Sequence, residues 1–365
     1  MCFWKRSWFT WPTALVIRGS SARTTIGSLS GPVLGPGSLY LAEVAPGDEC
    51  EILGKHSRPI FDETGGLSSD GRLLATWGRD GVRFWDMQTR RQAGSYEPFG
   101  AIAWHPDGQH LLLCARKGLQ QLSVRRHEDH GSLSLEVGGE EILHQINNPT
   151  QVWVSPDGQS LLVCQGGIGA YILSLRQTNS APLLLSHKGR IVRATWSPDS
   201  KWRATFTWQG YGVKIWEAQS GTFVRDVISD YTSTARFSPD GRWLVTISSA
   251  AYRFWEAGSW QPRHSVPRDG TMRGGGPMAF SPDGSLLAVS HLKQGVRLVE
   301  SSTGRKIATL DSEDQWPLCF SPDGTQLVTA DLTGVVRIWD LRRLREGLAK
   351  LNLDWDLPPY PPALP

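Results

Sequence analysis

The chain lacks a cysteine framework. Its five cysteines, Cys2, Cys50, Cys114, Cys164 and Cys319, are odd in number and contain no Cys-x-x-Cys pair, which argues against a disulfide scaffold and suits a reducing, cytoplasmic setting. It lacks long apolar runs as well. No stretch approaches the ~20 apolar residues of a membrane-spanning helix. Charge of one sign is missing: Lys and Arg number 38 against 35 Asp and Glu, a net +3. That near balance provides no basic footprint for nucleic acid. The familiar catalytic signatures are absent too, among them Gly-x-Ser-x-Gly, the Walker loop, the zinc-protease helix and the kinase set. Gly166-Gly167-Ile168-Gly169 is too short for a dinucleotide fingerprint.

What is present is repetition. A phrase of the form Ser-Pro-Asp-Gly occurs seven times, with aspartates at Asp70, Asp107, Asp157, Asp199, Asp240, Asp283 and Asp323. The steps between them are 37, 50, 42, 41, 43 and 40 residues. A period near forty means stacked units, none of which can bury its apolar faces alone.

Ala235–Trp255 shows how a unit is built. Ala235–Phe237 reads as a strand, Ser238-Pro-Asp-Gly241 as a turn, and Trp243–Ile247 and Tyr252–Trp255 as two more strands. Proline presets φ, aspartate bonds nearby backbone and glycine accepts φ > 0. Ser200 replaces that glycine in the fourth unit, so this turn is expected to be strained or built differently. The third strand often ends in an aromatic and an acid, as in Trp85-Asp86, Trp216-Glu217, Trp255-Glu256 and Trp339-Asp340. Units two and three lack that ending (Leu119–Val124, Tyr171–Leu175), and unit six has Leu298-Val299-Glu300. A short turn then leads to a fourth strand such as Thr222–Val227 or Lys306–Leu310. Four strands per unit make a blade of a β-propeller.

From about Ser38 to Leu344 the chain resembles the WD-repeat family, whose repeats end in Trp-Asp. Propellers of the periplasmic TolB type also use Ser-Pro-Asp-Gly turns, but Arg83-Phe84-Trp85-Asp86 and Arg337-Ile338-Trp339-Asp340 favour the WD type. The resemblance implies a hydrogen-bonded set of His, Ser or Thr, Asp and Trp within a blade. His56, Thr76, Asp80 and Trp85 match it in unit one. Unit four keeps His187, Thr205 and Trp216 without a matching aspartate. Unit seven keeps Thr329 and Trp339, with Asp311 near the histidine position, while Trp255 is the unit-five counterpart. These residues are expected to be structural.

The expected fold is therefore all-β: a seven-bladed β-propeller of four-stranded antiparallel blades, closed by an N-terminal strand and followed by a short C-terminal helix. Unit seven supplies three strands, so Glu49–Leu53 is expected to pair with Val335–Trp339 and remove the open edge. Leu39–Val44 is then surplus, or the remnant of a truncated eighth blade. Residues 1–37 read as a disordered leader or a mis-assigned start. Lys5-Arg6 and Ser7–Ile17 faintly resemble a secretion signal that Pro12 and Arg18 interrupt. Residues 38–344 form the propeller, and 345–365 hold the end of the helix and a proline-rich tail. Leu341, Leu344, Leu348 and Leu351 give the helix one apolar stripe, with Arg342, Arg343, Arg345 and Lys350 expected to face solvent. This ending resembles that of bacterial WD-repeat proteins, including propellers fused to Ser/Thr protein kinases.

His127-Glu128-Asp129-His130 is a ligand-like cluster, read here as a solvated connection in unit two rather than a metal site. Asp62, Glu63, Arg193 and Arg236 punctuate the inner strands without converging. Neither catalytic residues nor a cofactor nor a metal is expected. The family resemblance implies a binding face opposite the Ser-Pro-Asp-Gly turns, carrying Arg79, Lys117, Trp208, Tyr211 and Lys293. The expected function is a non-catalytic scaffold for a protein or peptide partner, working as a monomer or in a heteromeric complex. The alternatives are a docking propeller of a kinase-linked signalling system and an enzymatic or small-molecule-binding propeller, including a secreted one.

Overall fold

The computed structural model describes residues 16–18, 49–97, 100–166, 169–177, 181–185, 191–207, 212–228, 232–268, 276–291, 295–311, 314–350 and 352–360. Seven sheets form the ring. Blade 1 runs Ile60–Leu67, Leu73–Gly78, Gly81–Asp86, Arg91–Tyr96 from the axis outward, and blade 2 runs Ile102–Trp104, His110–Ala115, Gly118–Asp129, Ser132–His144. Blade 3 is Pro149–Val154, Ser160–Gln165, Gly169–Ser174, Leu183–Leu185, and blade 4 is Ile191–Trp196, Trp202–Thr207, Val213–Glu217, Phe223–Ile228. Blade 5 is Thr232–Phe237, Trp243–Ser248, Ala251–Glu256, Pro262–Pro267, and blade 6 is Met278–Phe280, Leu286–His291, Gly295–Glu300, Lys306–Asp311.

Blade 7 takes Gln315–Phe320, Gln326–Asp331 and Val335–Asp340 from the end of the repeat array and Cys50–Lys55 from its start. Cys50 lies opposite Trp339 and Lys55 opposite Val335, antiparallel, with a bulge between Ile52 and Gly54. The leftover strand of the sequence thus closes the ring, and among the described residues no sheet ends in an unpartnered half-blade. Residues 39–44 lie outside the described residues. A strand the sequence reading did not place, Val16–Arg18, runs parallel to the outer strand of blade 6, with Ile17 opposite Leu310.

Burial follows the position of each strand. Second strands are covered by blades on both sides, so Leu73–Gly78 and Trp243–Ser248 are buried throughout, as expected for strands packed on both faces. Outer strands such as Arg91–Tyr96 bury little beyond Ala93. Cys114 and Cys164 sit buried in second strands with free thiols.

Six of the seven turns between first and second strands share one construction, and blade 2 keeps its backbone. In blade 5, Ser238 Oγ donates to Asp240 Oδ1, Asp240 Oδ1 accepts the Arg242 N–H at 3.0 Å, and Ser238 Oγ accepts the Trp243 N–H at 2.9 Å. The Gly241 N–H closes onto the Ser238 carbonyl at 3.0 Å. Each turn also nests on the turn of the preceding blade: Gly71 against Pro322, Gly158 against Pro106, Gly241 against Pro198, Gly324 against Pro282. Ser200 adopts the glycine's conformation, with φ +57°, and its N–H bonds the Ser197 carbonyl at 2.9 Å. The strained alternative is the one realised, at about 1–2 kcal/mol for a non-glycine residue. Its hydroxyl partly compensates by accepting the Asp157 N–H of blade 3 at 3.2 Å.

Two elements lie on the face formed by these turns. The helix Leu341–Lys350 starts directly after blade 7, capped by Asp340, whose carboxylate accepts the Arg343 N–H at 3.0 Å. Leu341, Leu344 and Leu348 are buried with Trp339 and Trp355. Arg345, expected in solvent, is only 7 % exposed. It is drawn in by the returning tail, because Asp354 and the carbonyls of Leu357 and Pro358 accept its guanidinium N–H groups.

The second element corrects the reading of residues 127–130. Residues 127–129 are strand, and the connection shrinks to His130-Gly131: the third and fourth strands of blade 2 continue past the blade as a hairpin that turns there. Leu133 packs with Leu73 and Ala93 of blade 1, while Arg72 pairs with Glu128 and Arg126 with Asp70. Contact with the neighbouring blade keeps this charged stretch in strand conformation.

Candidate functional site

Within blade 1, Trp85 Nε1 donates to Thr76 Oγ1 at 2.7 Å, Thr76 Oγ1 lies 2.8 Å from His56 Nε2, and His56 Nδ1 lies 2.7 Å from Asp80 Oδ1. The indole can only donate, which leaves the Thr76 proton for His56 Nε2 and puts the imidazole proton on Nδ1, facing Asp80. The chain ties the second and third strands to the connection entering the blade. Burial lowers the His56 pKa and outweighs the opposing pull of Asp80. Burial raises that of Asp80, but the bonds from His56, the Ser57 N–H and Arg83 outweigh it and hold the carboxyl well below its usual range.

A pH dependence follows. The unfolded chain binds a proton on His56 near its ordinary value of 6.5, before the folded chain does. The stabilisation is complete above that pH and is lost as the pH falls below it toward the folded value. Thermal melts across pH 5–8 should show a steeper acid-side loss for the wild type than for His56→Gln. Equal slopes would remove His56 from the account.

Other blades hold fragments of this arrangement. Trp216 donates to Thr205 at 2.7 Å and Trp255 to Thr246 at 2.9 Å. His187 is outside the described residues. In blade 7 Thr329 donates to Gln315 at 2.7 Å, so a glutamine holds the place for which Asp311 was considered. Trp339 is buried with its Nε1 unpartnered. Packing against the helix holds that ring in place of a hydrogen bond.

The face opposite the turns is formed by the connections from second to third strand and from one blade to the next. Arg79 and Lys117 lie there, both exposed. Trp208, Tyr211 and Lys293 fall outside the described residues. A residue the sequence reading passed over is more prominent: Leu332, in the blade 7 turn, is 62 % exposed, the highest among the large hydrophobics described. Its turn packs against the segment entering blade 1, where the His56 N–H bonds the Gly334 carbonyl at 2.8 Å. The Arg79 N–H in turn reaches the Pro59 carbonyl at 3.3 Å. The turn that carries Leu332 thus adjoins the segment holding Arg58, where a Cβ on Gly334 would stand 2.8 Å from the Arg58 carbonyl, and that segment is tied to Arg79; Lys55, Arg58, Arg79, Glu97 and Lys117 are all exposed. A lone leucine in a turn carries no periodicity, so only its place in the repeat could have singled it out.

Of the inner-strand charges, Arg193 donates to Thr234 of the next blade at 3.1 Å. His105, Asp107 and His110, on the blade 2 turn, are the one group of three potential ligands found among the described residues. No described helix is long and apolar enough to cross a membrane.

Residues 304–340 match the family description "WD domain, G-beta repeat". That stretch begins just before the outer strand of blade 6 and ends with the third strand of blade 7, so the sequence repeat straddles two blades. The chain is similar to a Dictyostelium discoideum protein named Serine-threonine kinase receptor-associated protein, 29 % identical over 265 residues, covering 70 % of this chain and 86 % of that one. It is also similar to the Saccharomyces cerevisiae COMPASS component SWD3, 29 % identical over 204 residues, covering 51 % of this chain and 62 % of that protein.

Proposed function

We propose that this WD40-repeat propeller is a non-catalytic, cytoplasmic scaffold that holds an extended, acidic protein segment on the face opposite its Ser-Pro-Asp-Gly turns. The observation that carries the reading is Leu332, standing in solvent beside Arg58 and Arg79. An exposed apolar side chain on a face that also carries exposed cations suits a segment that pairs a hydrophobic anchor with carboxylates, since buried anchors supply affinity and surrounding charge supplies rate and selectivity. The other face is partly occupied, by the helix and tail at blades 6 and 7 and by the hairpin at blade 1. Both relatives carry names that speak of association or membership in a complex. Trp208, Tyr211 and Lys293 belong to the proposed face by their place in the repeat.

The test is capture from the native cell by the wild type, by Arg79→Glu/Leu332→Asp, and by Asp129→Lys on the hairpin. The first substitution pair should lose the partners that the wild type and the hairpin variant retain. Retention by all three would move binding elsewhere. A second reading makes the propeller the docking part of a kinase-linked signalling system, favoured by the helix-and-tail ending and by the name of the Dictyostelium relative. A kinase among the partners lost with Arg79→Glu/Leu332→Asp would select it.

A further inference from the structure

Six of the seven turns place a serine before the Pro-Asp pair, or before Ser69-Asp70 in blade 1, and its hydroxyl donates to the aspartate. Blade 2 alone departs. Its turn reads His105-Pro106-Asp107-Gly108-Gln109-His110, and imidazoles stand at the serine position and five residues later. In the other turns the fifth residue after the serine is Leu73, Ser160, Trp202, Trp243, Leu286 or Gln326, which offers no ligand of this kind. The backbone is unchanged: the Gly108 N–H bonds the His105 carbonyl at 3.0 Å, and Asp107 Oδ1 accepts the Gln109 N–H at 2.8 Å. The fold therefore does not need the two histidines, because six equivalent turns close without them.

What the histidines add is convergence. His105 Nδ1 lies 2.9 Å and His110 Nδ1 2.6 Å from the same atom, Asp107 Oδ2. The three ligand atoms fall within 4.8 Å of one another, on side chains between a fifth and two-fifths exposed. Zinc held at about 2.0–2.1 Å by each would set its ligands about 3.3 Å apart, so side-chain shifts of about 1 Å shared among the three residues would bring their atoms onto one ion. Arg126, which reaches toward the Gly108 carbonyl at 3.4 Å, is already paired with Asp70.

We propose that His105, Asp107 and His110 form a surface site for a divalent transition metal, zinc above all, with a fourth position left to water. Two imidazoles and one carboxylate suit zinc and disfavour magnesium and calcium, which take oxygen donors. The site sits on the turn face, so it is separate from the partner surface proposed around Leu332.

The experiment is calorimetric titration of the metal-stripped full chain with zinc chloride at neutral pH, repeated with His105→Ser and with magnesium chloride. His105→Ser restores the residue that the other turns carry, so the variant keeps its fold, and an unchanged melt without metal verifies this. The wild type should bind one zinc ion with a micromolar dissociation constant, His105→Ser at least about tenfold more weakly, and magnesium not at all. Cobalt(II) in place of zinc should give the visible absorption of a four-coordinate site. Lack of saturable zinc binding by the wild type would overturn the proposal, as would undiminished binding by His105→Ser.

Discussion

Gly54→Ala should be among the most damaging single-methyl additions to the chain. Gly54 lies in Cys50–Lys55, the strand that seals the ring, directly after the bulge opposite Val335–Asp340. A Cβ there would stand 2.1 Å from Cζ3 and 2.4 Å from Cη2 of Trp85. The ring cannot retreat cheaply, since Trp85 is 2 % exposed and its Nε1 is committed to Thr76. Moving it strains the bond chain through His56 to Asp80. Moving the strand instead loosens blade 7. Overpacking ordinarily costs about 1–3 kcal/mol, and a site that disturbs both network and closure belongs at the top of that range. For a domain of this size the melting midpoint should fall by roughly 4–5 °C. Gly138→Ala serves as the control, because a Cβ there meets nothing within 4 Å. The double variant Gly54→Ala/Trp85→Leu should fall short of the sum of its parts, since one change vacates the space that the other fills. A Gly54→Ala midpoint equal to that of the control would mean that this strand does not seal the ring.

The repeat was readable because its turns are local chemistry. Proline, aspartate and glycine in sequence dictate one conformation with little help from the rest of the molecule, and Ser200 shows the backbone holding even where the glycine is gone. Closure was readable by counting, since three strands in blade 7 required a fourth and Glu49–Leu53 was left over. Where contacts come from another unit, no comparable local signal exists. Residues 127–130 are charged and carry no strand pattern, yet Leu133 on Leu73 and the pairing of Arg126 with Asp70 extend the hairpin through them. His105 and His110 were hidden by the same conservatism of the turn. The phrase around Asp107 announces a structural element, and only three-dimensional convergence shows what its two altered positions share.

Arg345→Ala should have the second largest effect, and it tests the same point in reverse. On a helix with one leucine stripe an arginine is assigned to solvent by default, but here the tail supplies a receptor for it. Its Nε and Nη2 each lie 3.0 Å from an Asp354 oxygen, and further N–H groups bond the Leu357 carbonyl at 2.7 Å and the Pro358 carbonyl at 2.5 Å. The guanidinium also lies 5.3 Å from the ring centres of both Trp355 and Tyr360. Burial raises the Tyr360 pKa to about 12 against the opposing charge of Arg345, with Asp283 and Asp323 adding to the rise, and the ring packs against the apolar cluster shared by blades 6 and 7 and the helix. Truncation strands Asp354 and two carbonyls together, and breaking a pair of this kind costs about 3–5 kcal/mol when it is fully buried. Asp354 is 30 % exposed, so screening reduces the figure to about 2–3 kcal/mol. Because the bonds converge on one short segment, the loss should appear first as release of the tail. Proteolysis should cut after residue 350, and Trp355 should move into water, before the propeller melts. Arg345→Lys should fail almost as badly, since an ammonium cannot reproduce the planar fork. Arg343→Ala is the comparison. Arg343 is 61 % exposed beside Asp340, and its loss should stay within about 0.5 kcal/mol. If the two alanine variants are cut and melt alike, the tail is held by Trp355 and the leucine stripe alone, and the buried guanidinium contributes nothing to keeping that face covered.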